Sequence, residues 1–160
     1  MQVATTADAD RCFGVQKRSA VTGYAHIFPQ QEYPFPDDVV RQEWATRLGA
    51  GRWVVMALID GDPVGTISTH GNQIGSLFVV PEQWGSGVAA ALLDAALANM
   101  AEQGTTSAEL DVMAENMRAR RFYERRGWHR DGREYLSPFP PYPRLVGYRC
   151  AIEPVSRSKA

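Results

Sequence analysis

Along the chain the spacing of apolar side chains changes period several times, and each change marks an element. Residues 1–4 are enough for a short strand at most, and Thr5 followed by Asp8 has the form of a capping box. There a hydroxyl and an acid three residues on satisfy the first free N–H groups of a helix. A helix over about residues 7–20 is predicted behind it. A second starts after Pro36, at Asp37 or Asp38, and puts Val40, Trp44 and Leu48 on one face until Gly49 and Gly51 end it. From Arg52 the period shortens. Residues 53–59 (WVVMALI) and 64–69 (VGTIST) are β-branched, apolar runs around an Asp-Gly turn, which predicts a hairpin. Residues 73–80 (QIGSLFVV) read as a third strand. A helix over about residues 85–103 follows, with Val88, Leu92, Leu93, Ala96, Leu97 and Met100 as its apolar stripe and Gly104 as its stop. A strand at 108–113, a helix at 116–126 stopped by Gly127, and strands at 128–135 and 145–152 complete the pattern. Hairpins mixed with a crossover helix predict an α/β (α+β) domain, with a mixed, mostly antiparallel sheet of about six to seven strands and helices on both faces.

Two segments break the periodicity. Residues 26–36 (HIFPQQEYPFP) and 137–143 (SPFPPYP) are rich in proline and aromatics and read as ordered surface loops. Residues 156–160 have the composition of a flexible tail. Without an internal repeat, residues 1–155 read as one domain, and 160 residues suffice to bury a sizeable core. A hydrophobic share of 44% and a charged share of 22% are those of an ordinary globular protein. The net charge of −1 argues against nucleic acid as a partner, because phosphate contacts need clustered positive charge. No apolar run approaches the roughly 20 residues that span a bilayer, so no membrane partner is expected. The N-terminal residues lack the basic start and apolar stretch of a secretory signal, and a cytoplasmic location is the expectation. Cys12 and Cys150 lie far apart and outside any metal-ligand spacing, so no metal is expected.

The informative segment runs from Leu77, Phe78 and Val79 through Pro81 and Glu82 to Trp84-Gly85-Ser86-Gly87-Val88-Ala89-Ala90. A strand ends, a turn carries two glycines, and a long apolar helix begins at once. Glycines let backbone approach a ligand closely, and the first N–H groups of a helix have no internal partner. Together with the helix dipole they suit a pyrophosphate. The same segment reads equally as a plain chain reversal. It also matches the dinucleotide fingerprint G-x-G-x-x-A, with Glu109 or Asp111 about 20 residues on. That fingerprint normally opens a parallel sheet, whereas antiparallel-looking strands precede it here. A phosphate-binding P-loop is excluded, since no Lys-Ser/Thr follows the second glycine.

Taken together with a second motif, this segment resembles the acyl-CoA motif of the GCN5-related N-acetyltransferases, Q/R-x-x-G-x-G/A after a strand and a Pro-acid turn. Asn116, Ala119, Tyr123, Gly127 and Trp128 resemble that family's N-x-x-A-x-x-x-Y-x-x-x-G-F. The order of elements agrees over roughly residues 1–152. The resemblance implies the acyl-CoA N-acyltransferase fold, acetyl-CoA as co-substrate and a primary amine as acceptor. It further implies that backbone groups of Leu77, Phe78 and Val79 hold the pantetheine arm and the thioester carbonyl. The N–H groups over Gly85, Ser86, Gly87, Val88, Ala89 and Ala90 would cradle the pyrophosphate, Asn116 would bond the coenzyme arm, and Tyr123 would stand near the sulfur. Trp84 departs from the pattern, and no Lys or Arg occurs from Leu77 to Ala91. Binding should therefore depend on the backbone, and on Gly87 above all.

Acyl transfer to an amine needs a neutral nucleophile, a donor for the oxyanion and a proton for the thiolate. Tyr123 is the expected acid, although Phe122 and Tyr123 also read as the buried face of an amphipathic helix. Asp111, five residues before Asn116, is the carried-over base; a strand-end Asp paired with a nearby arginine is the alternative. Histidine is a common general base, but His26, His70 and His129 belong to no motif. Five arginines crowd the Asn116 helix (118, 120, 121, 125 and 126); most are expected to form a solvated face, with one of them a candidate partner for the 3′-phosphate. In this family the acceptor lies between the two aromatic-proline loops, which makes Tyr24, Phe28, Tyr33 and Phe35 the expected pocket walls, with Phe139 and Tyr142 opposite. With few acids there besides Glu32, a small, moderately apolar amine is expected rather than a polyamine. Protein N-terminal or lysine acetylation is the alternative in the same chemistry. A non-catalytic acyl-CoA-binding module and a nucleotide-binding oxidoreductase are the alternatives of another class. The sheet edge leaves a homodimer open.

Overall fold

The structure, a computed structural model, describes residues 1–153. The expected tail at 156–160 and the domain boundary at 155 lie outside the described residues. Seven strands form one sheet: β1 (Gln2–Val3), β2 (Trp53–Ile59), β3 (Asp62–His70), β4 (Gln73–Val79), β5 (Ser107–Met113), β6 (His129–Leu136) and β7 (Arg144–Ala151). Their spatial order is β1-β2-β3-β4-β5-β7-β6. Each neighbouring pair is antiparallel except β4–β5, which is parallel. The helices are α1 (Ala9–Gly23), α2 (Asp37–Gly49), α3 (Val88–Glu102) and α4 (Met117–Arg125).

The β2 run shows why it lacks polar alternation. Val54 and Met56 pack with Phe13 of α1 and with Val40 and Trp44 of α2. Val55 and Ala57 join Leu92, Leu93 and Ala96 of α3 in the other cluster. A strand buried on both faces needs apolar side chains at every position. Gly65 on β3 brings α3 close: a Cβ there would lie 2.8 Å from Leu92 Cδ1 and 2.9 Å from Val88 Cγ1. Only glycine lets the first turn of α3 settle directly onto the sheet.

The helix boundaries differ from expectation at two places. Residues Thr6–Asp8 form a single 3-10 turn, and α1 continues to Gly23. The N–H and the hydroxyl of Thr5 both donate to Asp8 Oδ2, at 2.9 and 3.1 Å. Helix α3 starts at Val88 rather than at 85, because Gly85 (φ +79°) and Gly87 (φ +94°) are left-handed, a conformation a right-handed helix cannot include.

The feature that positions the site is the parting of β4 from β5. The two strands pair at one register point, Gln73 with Glu109, and then diverge. The wedge they leave opens towards the C-terminal end of β4, where the turn before α3 begins.

Candidate active site

Backbone groups line one wall of the wedge. The Val80 N–H donates to Val64 O on β3 at 2.9 Å. Bonding direction alternates residue by residue in an antiparallel ladder. The N–H and C=O groups of Val79 and Leu77 therefore point away from β3, into the opening. One of these acceptors is already engaged, since the Trp84 indole N–H donates to Val79 O at 2.8 Å.

The turn after β4 closes the end of the wedge. Pro81–Gln83 form a 3-10 turn, and Gly87 in its left-handed conformation caps α3. The Ser86 N–H donates to Gln83 O and the Ala91 N–H to Gly87 O, at 3.2 and 3.0 Å. Among the described residues the N–H groups of Gly85, Gly87, Ala89 and Ala90 donate to nothing. Four free donors at the positive end of a 15-residue helix form a concentrated anion-attracting surface.

Helix α4 forms the facing wall. Asn116 caps it, its Oδ1 accepting from the Ala119 N–H at 3.2 Å, and this leaves its amide NH2 group without a protein acceptor among the described residues. Two turns on, Tyr123 is buried, its ring edge-on to Phe122 and Trp128 at 5.2 and 5.7 Å between centroids. Burial, with the Tyr24 hydroxyl adding to it, pushes the Tyr123 phenol far above its ordinary pKa. Tyr123 is thus fully protonated at neutral pH, with no hydrogen-bond partner for its hydroxyl among the described residues. Arg118 lies over the Trp84 ring, its guanidinium carbon 3.3 Å from the ring centre. Val79, the four free donors of the turn, Trp84, Asn116, Arg118 and Tyr123 front one cavity of about 330 Å³, within the range of small-ligand sites.

Asp111 reaches the same cavity from β5. Its Oδ2 accepts the Tyr135 hydroxyl proton at 2.7 Å, and its Oδ1 lies 3.5 Å from Arg133 Nη1. Tyr135 is pushed up to about 12, by burial first and then by the hydrogen bond to Asp111. Both partners come from β6, which is separated from β5 by β7. Gly147 of β7 stands opposite Asp111 and supplies the gap. A Cβ at Gly147 would run into Asp131 and come within 2.9 Å of Arg133 Cβ and Nε, so side chains of β6 lie across the bare backbone of β7. Arg133 also pairs with Asp131 at 2.7 Å and Glu109 at 3.6 Å.

The sequence model of the acetyltransferase (GNAT) family matches residues 20–128. The chain belongs to that family. An uncharacterized N-acetyltransferase of Archaeoglobus fulgidus is 40% identical over 81 residues, covering 44% of this chain and 55% of the relative. The chain thus spans about half the length of the curated relative it matches. The GCN5-related N-acetyltransferase of Rhodopseudomonas palustris superposes with a TM-score of 0.79 at 19% identity, covering 94% of this chain and 93% of that one. The PaiA N-acetyltransferase of Thermoplasma acidophilum, solved in complex with coenzyme A, gives 0.68 at 16% identity, covering 92% and 98%. At such identities the likeness to the two structures is one of fold.

Against the family pattern, the cavity gathers Leu77, Phe78, Val79, Trp84, Gly85, Gly87, Ala89, Ala90, Asp111, Asn116, Tyr123 and Tyr24. It leaves out seven expected residues. The Ser86 hydroxyl turns back to Gln83 O at 2.7 Å, and Val88 packs towards β3. Phe35 lies edge-on to Phe13 in the cluster beneath α1 and α2, with 6.2 Å between centroids. Phe28 backs Tyr24 at 6.5 Å without reaching the cavity, and Tyr33 stays within its own loop, its N–H bonded to Pro29 O at 2.8 Å. Phe139 and Tyr142 are exposed. His26 bridges loop to loop, with Nε2 3.0 Å from Glu115 O. The dinucleotide reading lacks its sheet, because among the described residues only one strand pair is parallel, and Glu109 is held by Arg149 at 2.6 Å. Arg118 and Tyr135 were not singled out by any motif. Arg118 was visible only as one of five helical arginines, and Tyr135 meets Asp111 through strand pairings that no local pattern reports.

Proposed function

We propose that this chain transfers the acetyl group of acetyl-CoA to a primary amine of a small molecule. The observation that carries the reading is the convergence on one cavity of three things: free N–H groups at the head of α3, the open edge of β4, and the protonated hydroxyl of Tyr123. The N–H groups of Gly85, Gly87, Ala89 and Ala90 suit the diphosphate of the coenzyme. Leu77 and Val79 offer a strand edge to the amide-bearing pantetheine arm, and the free amide NH2 of Asn116 faces the same path. A β4 N–H in this position meets negative charge as it develops on the thioester oxygen, and one such donor typically contributes about 10²–10³ in rate. Tyr123 donates a hydrogen bond to the departing sulfur and supplies its proton. Asp111 takes the proton released by the attacking nitrogen, with Tyr135 and Arg133 holding the carboxylate in place.

Tyr24, at the end of α1, gives the acceptor side an aromatic wall with Phe28 behind it, which favours a compact, partly apolar amine. A peptide N-terminus is the second reading, favoured by the exposed Tyr135, Leu136, Phe139 and Tyr142 around the β6–β7 loop. Free-thiol release from acetyl-CoA over a panel of small amines, a polyamine and short peptides tests both. Release with small amines above the hydrolysis blank is expected. Release with peptides alone would move the assignment to the second reading, and no release together with no thermal shift on acetyl-CoA would reject both.

A further inference from the structure

The turn before α3 holds no cation, for no Lys or Arg occurs from Leu77 to Ala91. A diphosphate carries two negative charges, whereas the end of a helix offers about half a positive one. Two guanidiniums lie beside this turn: Arg18 of α1, already engaged by Glu82 at 3.1 Å, and one that comes from the opposite wall. Arg118 is the second residue of α4, stacked on Trp84, and it lines the cavity.

Three contacts hold it there. The Trp84 ring is pinned by its N–H donation to Val79 O. A Cβ on Gly23, at the end of α1, would come within 3.2 Å of Arg118 Nη2 and 3.7 Å of the Trp84 ring. Glycine at this position leaves the stack room. Tyr24, the next residue, is close enough to oppose the fall in basicity that partial burial causes in Arg118. Arg118 nevertheless has no ion pair and donates no hydrogen bond among the described residues. Of the other arginines on the helix, Arg121 is exposed and does not line the cavity, and the remaining three are committed elsewhere. Arg120 donates to Tyr148 Oη and Ala114 O at 3.0 and 2.9 Å, Arg125 to Arg121 O at 3.1 Å, and Arg126 pairs with Asp94. A partly desolvated guanidinium with all its donors free, held flat against an indole, is prepared for an anion.

We propose that Arg118 is the side-chain cation that pairs with the coenzyme's diphosphate, and that Trp84 is the positioning residue that carries it. This rests on the coenzyme reading above. In this chain the charge that the family motif places at position 84 is supplied from α4, and position 84 itself serves as the platform.

Calorimetric titration of CoA and of dephospho-CoA, which keeps the diphosphate but lacks the 3′-phosphate, tests it. Wild type, Arg118→Gln, Arg118→Lys, Trp84→Ala and the Trp84→Ala/Arg118→Gln double variant are compared at low and physiological salt, with thermal melts confirming the fold. Arg118→Gln should weaken both ligands by about tenfold or more and flatten the salt dependence. Arg118→Lys should restore part of the loss, and the double variant should bind no more weakly than Arg118→Gln alone. Equal affinity of wild type and Arg118→Gln would overturn the proposal. So would a loss confined to CoA, which would make the 3′-phosphate the partner, or full additivity in the double variant. Failure of the wild type to bind either ligand would instead reject the coenzyme reading itself, and this proposal with it.

Discussion

Replacing Gly87 with alanine separates the turn's role in binding from its role in folding. Gly87 sits at φ +94°, ψ −5°, and a Cβ there meets nothing within 4 Å. The added methyl therefore clashes with no neighbour, and the cost is that of holding an L-residue left-handed, about 1–2 kcal/mol. In a domain of this size that lowers the Tm by about 2–8 °C. Any relaxation of φ swings the peptide planes that follow, and with them the N–H groups of Ala89 and Ala90. A hydrogen bond to a charged group contributes about 1.5–3 kcal/mol, so loss of one weakens acetyl-CoA by about ten- to a hundredfold. The groups that act on the thioester lie on β4 and α4, so kcat should change little while the KM for acetyl-CoA rises. Steady-state kinetics with varied acetyl-CoA, beside a thermal melt, give both numbers. A lowered Tm with an unchanged KM would mean that Gly87 only turns the chain, and the diphosphate assignment would fall.

Tyr123→Phe keeps the packing against Phe122 and Trp128 and removes only the hydroxyl, so kcat should fall about a hundredfold at saturating substrates with the fold intact; an unchanged kcat would remove the acid from Tyr123. Burial raises the pKa of Tyr123 in the folded state, so its contribution to stability is complete below the unfolded value near 10 and is lost as pH climbs above it. Thermal melts of wild type should therefore decline above about pH 10, and those of Tyr123→Phe less steeply, whereas parallel declines would contradict the burial argument. Gly147→Ala pushes Arg133 and Asp131 off the backbone of β7, an overpacking cost of about 1–3 kcal/mol. It should raise the KM of the acceptor and leave that of acetyl-CoA alone; an increase confined to acetyl-CoA would contradict the placement of the acceptor beside Asp111. Asp111→Asn should remove the acidic limb of the pH–rate profile, and an unaltered limb would assign the base elsewhere.

The order of elements and the glycine turn were readable because each depends on neighbours in sequence. The apolar stripe of α3, the two left-handed glycines and the Asn116 cap are all local devices, and they surround the backbone half of the site. Side chains that meet through the sheet were not readable. Tyr135 and Arg133 reach Asp111 because β7 inserts between β5 and β6 and because Gly147 is bare, and neither fact leaves a trace in any short window. The aromatic loop at 26–36 is a further case of side chains placed by the fold rather than by a local pattern. Its composition suits a pocket wall, yet Phe35 finds more apolar surface against Phe13 and turns inward, leaving Tyr24 as the aromatic of that region that reaches the cavity. Trp84 read as a defect in a motif, whereas in three dimensions it is a surface on which a guanidinium from another helix rests.

The central claim is that the N–H groups at the head of α3 hold the coenzyme's diphosphate, and amide chemical shifts report on those protons one by one. In a 15N-labelled sample titrated with CoA, the largest shifts should fall on Gly85, Gly87, Ala89 and Ala90, with smaller ones on Leu77 and Val79. Saturable binding whose largest shifts lay at amides outside this turn and the β4 edge would contradict the account.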